Sequence, residues 1–156
     1  MAAVNHQLSS VSRARPEIIA TATLLVETAG EGFTEITRDA ERFIAEASAN
    51  DGALQIFMRH TSASLVIQEN ADPDVRTDLR TALQRLAPGD AGWVHDEEGP
   101  DDMPSHVKAM LTGVSLYVPV IGGALALGTW QGIYVIEHRA RPHQREIVLQ
   151  FTGSGR

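Results

Sequence analysis

Two histidines enclose the segment of this chain that is richest in groups able to bind a metal ion. His95 and His106 bound twelve residues that also contain five carboxylates. Neutral imidazole binds zinc and related divalent ions, and carboxylates complete the ligand set or orient the rings. The spacing matches no standard metal signature, and a solvated acidic loop with two surface histidines explains it equally well. The segment is therefore a candidate metal site with one ordinary alternative.

A second candidate site is the run His60-Thr61-Ser62, at the junction between two predicted strands. An imidazole beside two hydroxyls is suited to bind an anion, to hold a proton or to contribute a metal ligand. The sequence around Ser62 lacks the strand–turn–helix elbow of serine hydrolases, so it does not predict a serine nucleophile. A strand that begins with hydrogen-bonded hydroxyls is the alternative.

Glu69 and Asn70 form a third candidate, just before the second predicted helix. Asp72 can cap that helix and Pro73 suits its first position, so the cap itself does not require Glu69 or Asn70. Their side chains are then available to a substrate or to a metal ligand. Hydrogen bonding within the loop is the competing explanation.

A fourth candidate is the glycine-containing run around Trp130. Gly128 allows close backbone approach, while Thr129 and Gln131 add a hydroxyl and an amide that suit one wall of a ligand site. The alternative is a glycine-bent strand with Trp130 in the core or in a subunit interface. The run lacks the Gly-Lys-Thr/Ser ending of a P-loop.

Three charged or titratable groups follow one another at Glu137, His138 and Arg139. A carboxylate beside an imidazole and a guanidinium can set the position of a proton or clamp a phosphate. A surface charge cluster at a strand end has the same spacing, and the sequence does not separate the two.

Composition limits the classes of function. The 156 residues include 13 Lys and Arg, 20 Asp and Glu and no cysteine, with a formal net charge of −7. An acidic chain is a poor general nucleic-acid binder, which needs a basic face. Without cysteine, disulfides and thiolate metal sites are excluded, so a metal must be held by His, Asp or Glu. No stretch reaches the ~20 apolar residues of a membrane span, and residues 1–16 lack a signal-peptide core, which predicts a cytoplasmic protein.

The elements that must position these residues follow from hydrophobic periodicity and turn signals. Strands are predicted at 18–28, 33–36, 53–58, 62–68, 115–120, 124–127, 133–137 and 146–151, and helices after an N-cap at Thr37, after Asp72 and at 104–111. This order lacks the regular alternation of a parallel α/β fold and predicts an α+β domain with mainly antiparallel pairing. We expect residues 1–16 to form a flexible leader and 17–156 a single domain.

Taken together and in order, the motifs resemble the YjbQ-like family. They are His60-Thr-Ser-Ala-Ser, Glu69-Asn-Ala-Asp-Pro-Asp-Val, His95 with Glu98-Gly-Pro-Asp-Asp-Met-Pro-Ser-His106, Leu127-Gly-Thr-Trp-Gln-Gly-Ile and Glu137-His-Arg. The resemblance covers residues 18–151. It implies an α+β fold, roughly a two-sheet β-sandwich with two or three helices, and a homotrimer around a threefold axis.

The resemblance also implies an activity. Members of the family are described as secondary thiamine-phosphate synthases, which join a pyrimidine pyrophosphate to a thiazole phosphate and release pyrophosphate. It implies a divalent metal ion, zinc or magnesium, held by His60, His95 and His106, with His138 as a reserve ligand.

The first hypothesis is therefore a metal-assisted transferase that acts on a small phosphorylated substrate. Its catalytic candidates are Glu69, Glu98 and His138. Its substrate-binding candidates are Thr61, Ser62, Asn70, Gly128, Thr129, Gln131 and Arg139. Two alternatives remain: a metal-dependent hydrolase that uses the same imidazoles to activate water, and a non-catalytic trimer that binds a small anion.

Overall fold

The computed structural model describes residues 5–156 of the chain. Over this range the chain forms eight strands and three helices, in the order β1 (Ile18–Thr28), β2 (Gly32–Glu35), α1 (Thr37–Glu46), β3 (Ala49–Met58), β4 (Ala63–Glu69), α2 (Pro73–Leu86), α3 (Asp102–Thr112), β5 (Ser115–Ile121), β6 (Ala124–Leu125), β7 (Gln131–Glu137) and β8 (His143–Gly155). Residues 5–17 are exposed and contain neither helix nor strand, and residues 1–4 of the predicted leader lie outside the described residues.

The strands form two sheets, each with antiparallel pairing. The larger sheet has the order β1-β8-β3-β5-β6 and the smaller one the order β2-β7-β4. Because side chains alternate along a strand, each sheet turns one apolar row inward. Leu54 and Ile56 of β3, Leu65 of β4 and Val135 of β7 meet in one core and are fully buried. The predicted α+β fold with two antiparallel sheets is confirmed.

Helix α1 covers part of this core with an apolar stripe. Ala40, Phe43 and Ile44 lie three or four residues apart and are buried against the sheets. The predicted N-cap at Thr37 is wrong, since Ile36 occupies that position and Thr37 is the first helical residue. The Thr37 hydroxyl is used elsewhere: it donates to Glu35 at 2.9 Å and accepts from the backbone N–H of Ile133 at 2.9 Å. The hydroxyl therefore links α1 to the smaller sheet.

Helix α2 begins as predicted. The Asp72 carboxylate accepts from the backbone N–H of Asp74 at 2.9 Å, and Pro73 occupies the first turn, where its missing N–H costs no hydrogen bond. The helix lies at the surface, and each of its 14 residues is at least partly exposed. Within residues 5–156, no helix has the length and apolar character that a bilayer span requires.

Within residues 5–156, no helix covers one face of the larger sheet. On β5, Tyr117 and Ile121 alternate with buried Val118 and Val120, and Tyr117 is 73% exposed. The register places Phe57 of β3 and residues of β8 and β1 on the same side. We call this surface the outer face; its exposed apolar members are Ile19, Leu25, Phe57, Tyr117 and Ile121.

Candidate functional site

Helix α3 places a carboxylate and an imidazole on one side of the same helix. The sequence predicted that this helix begins at Pro104, whereas it begins at Asp102. The N–H groups of a first helical turn have no partner within the helix, so a proline there removes no hydrogen bond. The earlier start puts Asp102 and His106 four residues apart, which brings their side chains together.

His95 completes a compact group with these two residues. Its Nε2 lies 2.7 Å from Asp102 Oδ2, and Nε2 of His106 lies 3.2 Å from the same oxygen. One ligand atom from each of the three residues lies within 4.8 Å of the others. Asp102 is only 2% exposed, while His95 reaches solvent. We call this group the His–Asp–His cluster.

The tautomer of His106 follows from its other nitrogen. Nδ1 of His106 lies 2.9 Å from the backbone carbonyl oxygen of Thr61. A carbonyl only accepts hydrogen bonds, so Nδ1 carries the proton and Nε2 of the neutral ring has a lone pair. That lone pair faces Asp102 Oδ2, and two lone pairs at this separation repel. The arrangement is therefore favourable with a cation between them, which is either a proton or a metal ion.

The carboxyl of Asp102 is held in its charged form. Burial alone raises the pKa of Asp102, but the hydrogen bond from His95 and the positive charge of Arg139 outweigh burial and lower the pKa below its ordinary value. A buried carboxylate that stays ionised is a suitable metal ligand.

Arg139 positions the acidic residues of the cluster. Its Nη1 donates to Asp102 Oδ1, its Nε to Asp101 Oδ2 at 3.2 Å and its Nη2 to the carbonyl oxygen of Glu98 at 2.8 Å. Each guanidinium nitrogen thus has a partner within the protein. The Glu98 carboxylate lies 4.0 Å from Arg139 and is largely exposed. Arg139 was a substrate-binding candidate, and in this arrangement it orients Asp102.

His60, the third predicted metal ligand, lies beside the His–Asp–His cluster and is not a member of it. His60, Thr61 and His106 line one cleft with a volume of about 850 Å³. Burial and the nearby charge of Arg145 lower the pKa of His60, so the ring is neutral near pH 7. The structure therefore brings His95 and His106 together on Asp102, with His60 on the adjoining cleft wall.

His138 belongs to the protein interior. Its side chain is buried, and its Nε2 lies 2.8 Å from Ser64 Oγ, which is itself 2.6 Å from Thr112 Oγ1. Its backbone carbonyl accepts from Ser105 Oγ at 2.9 Å, which ties the end of β7 to α3. Burial and the charge of Lys108 lower the pKa of His138 to about 4. These contacts describe a neutral structural histidine.

We expect His138 to make the fold sensitive to acid. The unfolded chain binds a proton on this ring near pH 6.5 and the folded chain only near pH 4, so stability falls as the pH drops through that window. The full change in the free energy of unfolding is roughly 3 kcal/mol. Urea unfolding at about pH 7.5 and about pH 4.5 measures it. Between these pH values, the free energy of unfolding of a His138→Gln variant should fall by about 2 kcal/mol less than that of the parent protein. Equal losses would contradict the assignment of His138 as a buried, neutral histidine.

Glu69 and its neighbours lie elsewhere and stabilise local turns. The Glu69 carboxylate accepts from the backbone N–H groups of Ala71 and Asp72 at 3.1 Å, so it shapes the loop before α2. These contacts match the competing explanation, hydrogen bonding within the loop. The backbone N–H of Asn70 donates to the carbonyl of Trp130 at 3.1 Å.

The turn before β7 is closed in a similar way. The backbone N–H of Gly128 donates to Gln131 Oε1 at 2.8 Å, and the N–H of Gln131 donates to the Gly128 carbonyl at 3.0 Å. Thr129 in this turn is exposed. Trp130 is 64% exposed, so the alternative that placed it in the core is wrong.

The β4–β7 pairing separates the two groups of candidate residues. The register runs from Ala63 opposite Glu137 to Glu69 opposite Gln131, a span of six residue steps. At about 3.4 Å per residue, the two ends lie about 20 Å apart. Thr61, Ser62 and the His–Asp–His cluster are at one end, and Glu69, Asn70, Gly128, Thr129 and Gln131 are at the other.

A buried ion pair lies at the cluster end, and the sequence motifs had indicated only one of its members, Glu137. Arg145 Nη2 lies 2.5 Å from Glu137 Oε1, and Arg145 Nε donates to Oε2 at 2.7 Å. Arg145 also donates to Ser62 Oγ at 3.1 Å, and Thr28 donates to Glu137 at 2.9 Å. These hydrogen bonds outweigh burial and hold the pKa of Glu137 below its ordinary value. Ser62, a substrate-binding candidate, is buried in this network.

Comparison with known proteins gives the family. A family model described as "UPF0047 protein YjbQ-like" matches residues 22–154. A UPF0047 protein of Synechocystis sp. is 44% identical over 131 residues, which cover 83% of this chain and 89% of that protein. The UPF0047 protein YjbQ of Salmonella typhimurium is 41% identical over 132 residues, which cover 84% of this chain and 96% of that protein.

Solved structures agree. The crystal structure of an uncharacterized conserved protein of the YjbQ/UPF0047 family from Clostridium acetobutylicum matches with a TM-score of 0.78 and 34% identity, over 83% of this chain and 98% of that one. A structure from Sulfolobus solfataricus, named there a YbjQ-like protein of unknown function, shares the fold with a TM-score of 0.79 and 21% identity, over 88% of this chain and 100% of that one. The resemblance read from the motifs is confirmed, and the chain belongs to the YjbQ-like UPF0047 family.

Proposed function

We propose that the His–Asp–His cluster binds a divalent metal ion and that the protein uses it to act on a small phosphorylated substrate. The observation that carries this proposal is the tautomer of His106. Its Nδ1–H is fixed on the Thr61 carbonyl, so its Nε2 lone pair points at the Asp102 carboxylate. A metal ion shared by these two groups and His95 satisfies all three at once.

The donor set favours zinc over magnesium. Two imidazoles and one carboxylate are the ligand types of catalytic zinc sites, whereas magnesium prefers oxygen ligands alone. These three residues would hold the ion, and His95 lies on the exposed side of the cluster, where a substrate can enter. A bound zinc ion would supply positive charge to a leaving phosphate or pyrophosphate.

The surrounding residues hold the ligands in place. Arg139 fixes the second oxygen of Asp102, and the Thr61 carbonyl fixes the ring of His106. Such outer contacts orient metal ligands and set their basicity. His60 and the Thr61 hydroxyl lie on the adjoining cleft wall and are the groups that we assign to substrate binding.

Family resemblance and site chemistry together favour a thiamine-phosphate synthase-like reaction. That reaction joins a pyrimidine pyrophosphate to a thiazole phosphate and releases pyrophosphate. Charge builds on the leaving group as its bond to carbon breaks, and a cationic site stabilises that charge. Glu69 is about 20 Å away by the register of β4, so it is not assigned to this step in a single chain.

The assay uses purified zinc-loaded protein with both thiamine precursors. We expect thiamine phosphate to form with the parent protein and not with a His106→Ala variant. Absence of product above this control rejects the synthase. Release of phosphate or pyrophosphate without coupling supports the metal-dependent hydrolase instead. Thermal stabilisation by the precursors without turnover supports the non-catalytic anion binder.

We also propose that the protein forms a homotrimer through the outer face. Apolar side chains on one uncovered sheet face favour association, which removes them from water. Sedimentation should give about three times the 16.9 kDa mass of the chain. Tyr117→Glu should weaken assembly, whereas Leu86→Glu, at a comparably exposed apolar residue on α2, should not. A monomer at micromolar concentration contradicts this proposal.

A further inference from the structure

A ring of three copies needs two unlike surfaces on each chain. In such a ring, one patch of each copy meets a different patch of the next copy, whereas a patch that meets only itself closes as a dimer. The outer face is a single patch, so the proposed homotrimer requires a further pair of matching surfaces. The described residues offer such a pair, one at each end of the β4–β7 pairing.

The first surface is the turn before β7, which presents an aromatic side chain to solvent. Trp130 is 64% exposed. Its turn is closed by the hydrogen bonds between Gly128 and Gln131, and its carbonyl oxygen accepts from the backbone N–H of Asn70 at 3.1 Å. The backbone that carries the ring is therefore ordered before any contact forms, which lowers the entropy cost of association. Large aromatic side chains bury about 150–250 Å² each and are frequent interface anchors.

The second surface is the apolar part of the cleft that also contains His60 and His106. Met110 is 78% exposed, and Ala109 and Val114 extend the same lining. The thioether of a methionine packs favourably on an aromatic ring. The cleft volume of about 850 Å³ exceeds that of one indole side chain, so an inserted ring leaves the polar wall open to a substrate.

The cleft is continuous with the outer face, because Phe57 belongs to both. An interface through the outer face therefore reaches the rim of the cleft. The Trp130 turn of the same chain cannot enter this cleft, since the β4–β7 pairing holds the two ends about 20 Å apart. A second copy can supply the ring, and each copy carries one ring and one cleft.

The charges around the two surfaces are complementary. The carboxylates of Glu69, Asp72 and Asp74 lie together at the start of α2, next to the Trp130 turn. The cleft lining includes Arg59 and two imidazoles and, among residues 5–156, no Asp or Glu. Carboxylates at one surface and hydrogen-bond donors at the other favour a contact between unlike ends and oppose a contact between like ends.

We infer that Trp130 of one copy inserts into the cleft of the next copy and that three such contacts close the ring. The inference rests on the proposed homotrimer and names the surfaces that build it. The same contact brings Glu69 of one copy to the rim of the neighbouring cleft, beside His60 and Thr61. The candidate site is then composed of two chains, and the neighbour supplies a carboxylate that is distant from the His–Asp–His cluster within its own chain.

Fluorescence tests whether the ring is covered. The chain has two tryptophans, so a Trp93→Phe variant reports Trp130 alone. In the assembled full chain we expect the emission of an indole shielded from water. Addition of Tyr117→Glu, which should weaken assembly, is expected to shift the emission to the longer wavelengths of an exposed indole. Exposed-type emission from a trimer overturns the inference.

Cross-linking identifies what the Trp130 turn contacts. The chain contains no cysteine, so single cysteines can be placed at Thr129, beside the ring, and at Met110, on the cleft wall. When the two variants are coexpressed with different tags, a short bismaleimide should join Thr129→Cys chains to Met110→Cys chains, and neither variant should cross-link alone. Leu86→Cys, at an exposed position on α2, replaces Met110→Cys as the control and should lose the product. Cross-linking of Thr129→Cys to itself, or equally to Leu86→Cys, overturns the inference.

Sedimentation separates this inference from the proposed homotrimer. Trp130→Ala should raise the dissociation constant of the trimer by about tenfold or more. Trp93→Phe should leave it unchanged, because the Trp93 indole N–H donates to Pro88 within its own loop. A trimer that Trp130→Ala does not weaken leaves the homotrimer standing and rejects this contact. A monomeric parent protein contradicts the homotrimer and the contact together, and zinc content then still tests the metal site.

Discussion

An Asp102→Asn variant should lose zinc affinity by about 100-fold or more and show no metal-dependent activity. The substitution keeps the shape of the side chain but removes the charge that both imidazoles face at 2.7 and 3.2 Å. The amide is also a far weaker zinc ligand than a carboxylate. Equilibrium dialysis against a zinc buffer measures the affinity.

The control for this variant is Asp101→Asn. Asp101 neighbours Asp102 and binds the same guanidinium of Arg139, but it does not belong to the His–Asp–His cluster. We expect the control to reduce zinc affinity by about tenfold at most, through weaker positioning of Arg139. Comparable losses in the two variants would mean that the acidic loop, and not the cluster, determines metal binding. Circular dichroism of both variants checks that a loss of zinc affinity does not come from unfolding.

Removing the charge of Glu137 should give the largest loss of stability. A Glu137→Gln variant leaves Arg145 buried without a counter-charge, and breaking such a pair costs about 3–5 kcal/mol. Arg145 is 2% exposed and cannot move its guanidinium to solvent without disturbing β8. Urea unfolding in the presence of a chelator measures the free energy of unfolding without a contribution from bound metal.

The matched comparison is an ion pair of the same type at the surface. Arg59 lies 2.8 Å from Glu146, with both side chains about half exposed. Glu146→Gln should cost no more than about 1 kcal/mol, since water screens the pair and solvates the arginine that remains. If Glu137→Gln costs as little as Glu146→Gln, burial does not govern the strength of the Arg145–Glu137 pair.

The sequence predicted the elements better than it predicted the site. Alternating apolar residues determine the strands, and Asp72 with Pro73 determines the start of α2, because each signal is local. The central residue of the cluster was missed for an equally local reason. A helix taken to start at Pro104 excludes Asp102, whereas a proline allowed in the first turn puts Asp102 one turn before His106. The four-residue spacing was the available signal.

The contacts of His106 and Arg145 could not be predicted from local patterns. Thr61 lies 45 residues from His106 along the chain, and Ser62 lies 83 residues from Arg145. Only the packing of β4 against α3 and the larger sheet brings them together. The inward orientation of Arg145 could have been predicted. Arg145, Ile147 and Leu149 occupy every second position along β8, so the Arg145 side chain lies on the same buried face of the strand.

The transferase hypothesis listed Thr61 and Glu69 together, but the sheet holds them apart within one chain. The motifs at Thr61 and at Glu69 lie at opposite ends of β4. Because the strand is extended, the eight residue steps between them span a long distance. Similarly, Gln131 is the first residue of β7, whereas Arg139 follows the other end of the strand. The β4–β7 pairing therefore separates residues that one hypothesis had grouped.

The length of the β4–β7 pairing has a thermodynamic consequence. Groups separated by about 20 Å without shared partners do not couple, so free-energy changes from substitutions at Gln131 and at His106 should add within about 0.5 kcal/mol in one chain. Within one chain, substitutions at the two ends of this strand pair should therefore act independently of each other.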